Sequence, residues 1–249
     1  LIISRKSFSL IFEYAEENKL IEKIPTFPSV EIKSRKDKEN YNDQVIYALY
    51  DRFEYLSKNS KNEIGRENFK LLSIFIMLLY RTGMRYGELR NLKTKNIYEE
   101  NDNYYFKIEK SKVEKAKRII LIDTYTVNIV KSNLDKRKEY FFQRLDGILP
   151  QFTQVFKGER DRNIKEYKKI NLEEFTLYKI RDMFIKRKIR EGKDIYFIAT
   201  YTGTSIEMIQ KHYAANFINR DYQNIHDIDQ DMNDFADQIL HNTFNNIVE

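Results

Sequence analysis

Two arginines carry most of the chemical promise of this 249-residue sequence. Arg85 lies in the run Arg81-Thr82-Gly83-Met84-Arg85-Tyr86-Gly87-Glu88-Leu89, and Arg181 closes the run Leu177-Tyr178-Lys179-Ile180-Arg181. A guanidinium is planar, binds two phosphate oxygens at once and does not lose its charge. A pair of them suits a site where negative charge builds up on a phosphate. Breaking a phosphodiester without a metal also needs a nucleophile and a proton donor for the departing oxygen. Lys110, Lys112 and Lys115 lie together in one polar stretch and compete for the donor role. Glu88 stands three residues after Arg85, on the same helical face, where it can orient the guanidinium. Each feature has a plainer counterpart: a surface arginine, a surface ion pair, solvated turn lysines. Tyr213, one of 18 tyrosines, sits among Ile206, Ile209 and Phe217 at helical spacing and by that pattern alone fits a core position.

The elements that must position these residues follow from periodicity. Residues 7–20 show apolar spacing of three and four behind Ser7, an amphipathic helix. Residues 24–41 carry Pro25 and Pro28 and then a charged run without periodicity, the composition of a linker. Helical spacing returns over 42–56 and 67–81. The second stretch is apolar nearly all round (Phe69, Leu71, Leu72, Ile74, Phe75, Leu78, Leu79), which predicts a core helix stopped by Gly83. A short helix through Tyr86, Leu89 and Leu92 precedes a change of period to two. Tyr104, Phe106 and Ile108 alternate, as do Ile120 and Ile122, around the polar residues 109–118, which predicts an antiparallel hairpin with a charged tip. Further helices are expected near 125–143, 173–191, 194–201, 205–217 and 228–246.

Charged residues make up 33% and apolar ones 41%, so the chain is apolar and aromatic enough to fold beneath a highly charged surface. It has no Cys, which excludes disulfides, thiolate metal sites and cysteine nucleophiles and points to a reducing compartment. The longest apolar run, Leu71 to Tyr80, is about half the ~20 residues of a membrane span. No membrane partner is expected. The net charge of +6 is unevenly spread: residues 214–249 hold one basic and seven acidic side chains, leaving +12 on the rest. That is the footprint of a chain that meets a polyanion, although a solvated surface alone would account for it equally well. The sequence opens on Leu1, which predicts that it begins inside a longer product.

The run Thr82-Gly83-Met84-Arg85-Tyr86-Gly87-Glu88-Leu89 resembles the first box of the tyrosine recombinase, or phage integrase, family. The later boxes follow in order: a hairpin lysine, the arginine of Leu177–Arg181, and Gly203-Thr204-Ser205-Ile206 with Tyr213 nine residues after Thr204. The resemblance covers roughly residues 45–220 and implies an α+β, mainly helical catalytic domain with a small antiparallel sheet and a C-terminal helix. By this likeness residues 1–24 end a truncated DNA-clamping domain, 25–41 form a linker, 42–225 the catalytic domain and 226–249 an acidic helix. The implied catalytic set is Arg85, Lys112, Tyr178, Arg181, Thr204 and Tyr213, supported by Glu88. In such proteins the tyrosine attacks the phosphate and forms a 3′-phosphotyrosine, which stores the energy for rejoining and makes ATP unnecessary. Lys112 is preferred over Lys110 and Lys115 because its Ser-Lys pair matches the family's hairpin.

Two positions depart from the commonest pattern: Tyr178 and Thr204 stand where many members carry His or Trp. The residue after Arg181, often His, is Asp182, and residues 1–211 contain no His at all. No imidazole base can come from the body of the domain, so water or the phosphate is the expected acceptor of the nucleophile's proton. Tyr178 and Thr204 still offer hydroxyl donors. His212 neighbours Tyr213, about 100° round the helix, and is expected to face DNA or solvent. Neither metal nor cofactor is implied, since three scattered His give no ligand spacing. The implied partners are double-stranded DNA, a homo-tetramer assembled on it and accessory DNA-bending or directionality proteins, in the cytoplasm of a bacterial or archaeal host. The acidic tail, with Ile228, Met232, Phe235, Ile239 and Leu240 at helical spacing, fits docking onto a neighbouring protomer or folding back onto its own basic domain. The rival function is a degenerate DNA-binding protein of the same fold that acts by occupancy or architecture. Strand passage or end resolution is a third.

Overall fold

The computed structural model describes residues 12–23, 41–109, 117–213 and 216–217. The chain divides into two compact units, residues 1–40 and 41–249. In the first, residues 12–17 are helical, and Asn18 and Leu20 close the helix end by donating to the carbonyls of Tyr14 and Ala15. Residues 25–40 of the expected linker and the acidic C-terminal helix lie outside the described residues, as do the three hairpin lysines; Tyr41, placed last in that linker, packs edge-on against Phe175 in the second unit.

The second unit is built on two long helices, α1 (Gln44–Asn59) and α2 (Glu63–Thr82). Asn62 caps α2, its side-chain oxygen accepting from the amides of Ile64 and Gly65. From Leu71 to Tyr80 α2 is apolar apart from the buried Ser73, and Leu72, Phe75, Ile76, Met77, Leu78 and Leu79 are fully buried. Phe75 packs against Phe142, Phe152 and Tyr86, so this helix holds together segments far apart in sequence. The short α3 (Tyr86–Arg90) follows, and then a three-stranded antiparallel sheet in the order β1 (Ile97–Glu100), β2 (Asn103–Ile108), β3 (Arg118–Ile122). Phe106 pairs with Ile97 on one side and Ile120 on the other, placing one apolar row in the core. Next come α4 (Thr124–Asn133), α5 (Phe152–Arg162), α6 (Ile164–Lys169), α7 (Leu177–Arg190) and α8 (Ile195–Thr202). Residues 206–213 form a further helix, α9. Phe184, Ile185 and Ile189 of α7 join Ile198, Ala199 and Ile209 in a second apolar cluster with Tyr213 at its margin.

The architecture is mainly helical with a small antiparallel sheet, as the alternation of periods indicates. Several elements differ from expectation, among them α6, which no apolar periodicity in 164–169 announces. The helix expected over 125–143 stops at Asn133, because residues 139–141 are held against 92–94 instead: Thr94 donates to Glu139 and Phe141 to Leu92. Strand β1 was not anticipated; it enters β2 through Asn101 and Asp102, both at positive φ (49° and 60°), residue types that tolerate this conformation. Nor was α5, although Phe152, Val155, Phe156 and Glu159 share one face in a polar segment. Among the described residues no helix is long and apolar enough to cross a membrane.

Candidate active site

The site begins where α2 ends. Gly83 adopts a left-handed conformation (φ 59°), and a Cβ there would lie 2.6 Å from Cγ of Phe184, so the turn demands glycine. The tight stop brings Arg85 to the start of α3 in extended geometry. Glu88 reaches back to the helix start: its Oε2 accepts from the Arg85 amide at 3.0 Å, and its Oε1 accepts from Nη1 of Arg85 at 2.8 Å. The structure thus brings together Glu88 and Arg85, the pair expected from their three-residue spacing.

A third arginine completes the cluster, and it was not among the residues singled out from sequence. Arg118, the first residue of β3, grips Glu88 with both Nη atoms (3.2 and 2.9 Å) and donates through Nε to the Tyr201 carbonyl at 2.8 Å. The two side chains are 6% and 4% exposed. Burial alone would push the Glu88 carboxyl up, but the hydrogen bonds and charge of Arg118, with the hydrogen bonds from Arg85, hold it below the ordinary carboxylate range.

The C-terminal end of α8 supplies the other walls. Gly203 is also left-handed (φ 68°), and its carbonyl accepts from Nη2 of Arg85. The preceding carbonyl, that of Thr202, accepts from Nη1 of Arg181 at 2.9 Å, and the same nitrogen donates to Gly83 at 2.6 Å. Two consecutive carbonyls thus hold two guanidiniums side by side. A Cβ on Gly203 would lie 2.8 Å from Cζ of Arg118, so only glycine lets the arginines pass this close. Burial, then the charges of Arg85 and Arg118, push Arg181 down to about 10 against the pull of Glu88 and Tyr213. It stays protonated at neutral pH. Three positive charges against one buried carboxylate make a pocket preorganised for an anion.

Tyr213, on α9, donates its hydroxyl to Oδ1 of Asp182 at 2.7 Å. Asp182 is the neighbour of Arg181 on α7, so nucleophile candidate and arginine pocket share one helix turn. Thr204 follows Gly203 directly, its amide bonded to the Ala199 carbonyl at 3.1 Å. Tyr178, at the start of α7, is 61% exposed and lies against Tyr86 with ring centroids 5.5 Å apart. Its hydroxyl is not drawn into the arginine cluster by any hydrogen bond in the structure. His212 is exposed. Lys112 belongs to the segment 110–116 outside the described residues. The fold therefore gathers Arg85, Glu88, Arg181, Thr204 and Tyr213 from four separate stretches, and adds Arg118 and Asp182. For Arg118 the available signal was a lone arginine opening an alternating apolar strand. For Asp182 it was a carboxylate beside Arg181 in a chain whose first 211 residues lack His. Among the described residues no group of three or more His, Asp or Glu side chains is gathered that could hold a metal ion.

The model of the phage integrase family matches residues 49–220. No curated protein matches the chain. Among solved structures, the chain is similar to the XerH site-specific recombinase bound to difH substrate in a pre-cleavage complex. The TM-score is 0.58 at 19% identity, over 85% of this chain and 61% of that one. It is also similar to the Tn1549 transposon integrase in complex with circular intermediate DNA, with TM-score 0.56 and 16% identity over 84% of this chain and 74% of that one. At such identities the likeness concerns the fold, and the chain spans about six tenths of the XerH structure's length.

Proposed function

Since the chain belongs to the phage integrase family of tyrosine recombinases, we propose that it is a site-specific DNA recombinase. It cleaves and rejoins strands through a 3′-phosphotyrosine on Tyr213. The observation that carries this reading is the pairing of Arg85 and Arg181 on the adjacent carbonyls of Gly203 and Thr202, within electrostatic reach of Tyr213. Two guanidiniums held side by side neutralise the charge that accumulates on the non-bridging oxygens in the transition state. In this reading Glu88 and Arg118 fix the pocket, and the Thr204 and Tyr178 hydroxyls donate to the same phosphate. Lys112 protonates the departing 5′ oxygen. One phosphodiester is exchanged for another, so the energy of the broken bond is kept and no ATP is spent.

The proposed partner is double-stranded DNA, in keeping with the DNA complexes described for XerH and the Tn1549 integrase and with the basic charge of residues 1–213. A homo-tetramer assembles on it, with the acidic segment 226–249 as the piece that docks between protomers. The test is incubation of the full-length chain with nicked duplex fragments of its source DNA, followed by SDS. An SDS-resistant adduct that decays to rejoined strands when a free 5′-hydroxyl strand is added supports the reading. Salt-sensitive binding without adduct on any fragment assigns the protein to the rival role, DNA binding by occupancy or architecture.

A further inference from the structure

The nucleophile's proton has no imidazole to receive it from the body of the domain, yet the structure does not leave the Tyr213 hydroxyl to water. We propose that Asp182 is the general base of this site, its carboxylate taking the proton of Tyr213 as the phenol oxygen attacks phosphorus. The proposal rests on the reading of Tyr213 as nucleophile and adds the group that activates it.

Four observations carry it. The Tyr213 hydroxyl already donates to Oδ1 of Asp182 at 2.7 Å, inside the ~2.6–3.2 Å reach a proton-transfer partner needs. The two groups are brought together across 31 residues by separate helices, so the contact is tertiary and not an accident of local spacing. Asp182 itself follows Arg181, whose guanidinium is anchored to Gly83 and Thr202, so base and phosphate clamp are held by the same turn of a packed helix. Phe184 and Ile185, two and three residues on, are buried in the cluster that Tyr213 flanks, which fixes the helix on which the carboxylate sits.

The step balances as follows. The Tyr213 Oη–P bond forms while the P–O5′ bond breaks; the phenol proton passes to the Asp182 carboxylate and the 5′ oxygen takes a proton from the general acid. A carboxylate is too weak a base to ionise a free phenol, but the phenol proton becomes acidic as oxygen donates its electrons to phosphorus, so transfer is concerted with attack. On rejoining, the protonated Asp182 returns the proton to the departing phenol oxygen.

The test compares wild type and Asp182→Asn by the rate of adduct formation on nicked source DNA. Asparagine keeps size, and its amide oxygen still accepts from Tyr213, but it cannot take the proton. The expected result is adduct formation slowed on the order of 100-fold, with DNA affinity and melting temperature near wild type. Each protein is then made with a fluorinated tyrosine at 213, whose phenol is far more acidic and needs less help. The defect of the Asn variant should then shrink below about tenfold. A merely structural role leaves that defect unchanged and overturns the proposal, as does an Asn variant that reacts as fast as wild type. Asp182→His, which restores a base, should recover more activity than Asp182→Asn. No adduct from wild type with either tyrosine contradicts strand cleavage itself and removes the proposal with it.

Discussion

Arg118 and Glu88 form a two-pronged ion pair in which both side chains are nearly sealed from solvent, 6% and 4% exposed. Neither partner is catalytic by position. Together they form the floor on which Arg85 is set, because Glu88 shares its carboxylate between Arg118, the Arg85 guanidinium and the Arg85 amide. Removing one partner of a buried pair costs about 3–5 kcal/mol when the other charge is left alone, and somewhat less here because Arg85 still holds Glu88. Arg118→Ala is expected to unfold at correspondingly lower denaturant concentration, and Arg118→Lys, which cannot bridge both oxygens, to fall between. Equilibrium denaturation of the three proteins checks this.

The same carboxylate gives a signature in pH. The folded-state pKa of Glu88 is depressed by Arg118 and Arg85, against the effect of burial, so the folded protein favours the ionised form more than the unfolded chain does. Its contribution to stability is fully present above the unfolded value of about 4.3 and is lost as pH falls through the lower folded value. Denaturation series between neutral and acid pH should show less acid loss in Glu88→Gln than in wild type. Equal slopes would show that the pair does not hold in solution.

The three glycines near the arginine cluster separate backbone demand from mere smallness. Gly203→Ala meets both a left-handed φ of 68° and the Arg118 guanidinium, so it should cost more than the ~1–2 kcal/mol of the backbone alone and also disturb Arg85. Gly83→Ala meets the Phe184 ring and should be at least as damaging. Gly87→Ala, inside α3 with nothing within 4 Å of the added carbon, should be neutral or stabilise by up to about 1 kcal/mol. Melting temperatures of the three variants rank them.

Arg181→Lys isolates the clamp from the fold. One nitrogen of Arg181 reaches both Gly83 and Thr202 while the rest of the fork stays available, a geometry a single ammonium cannot reproduce. Adduct formation should fall on the order of 100- to 1000-fold, as for loss of one transition-state donor. Affinity for DNA should change far less. A parallel loss of binding, read by titration at fixed salt, would make Arg181 a binding residue only.

The helices flanking the site were legible because their apolar residues recur at three and four and because Gly83 marks the end of the longest one. Arg85, Glu88, Arg181 and Tyr213 were legible as a set because their spacing resembles a family's boxes; no single one of them stands out physically. What stayed hidden depends on long-range contact. Arg118 reads as one more cation beside a lysine-rich turn, and only the fold carries it to Glu88, 30 residues away. Asp182 reads as a missing histidine until α9 brings Tyr213 to it. The false helical extension past Asn133 has the same origin, since tertiary pairing with 92–94 overrides local spacing there.

The central claim is that Tyr213 becomes covalently joined to DNA. The most direct measurement is mass analysis of the SDS-resistant adduct after nuclease and protease digestion, made with wild type and with Tyr213→Phe. The account predicts a nucleotide-bearing peptide containing Tyr213 in wild type and no adduct in the phenylalanine variant. An adduct on any other residue, or one that persists in Tyr213→Phe, would contradict it.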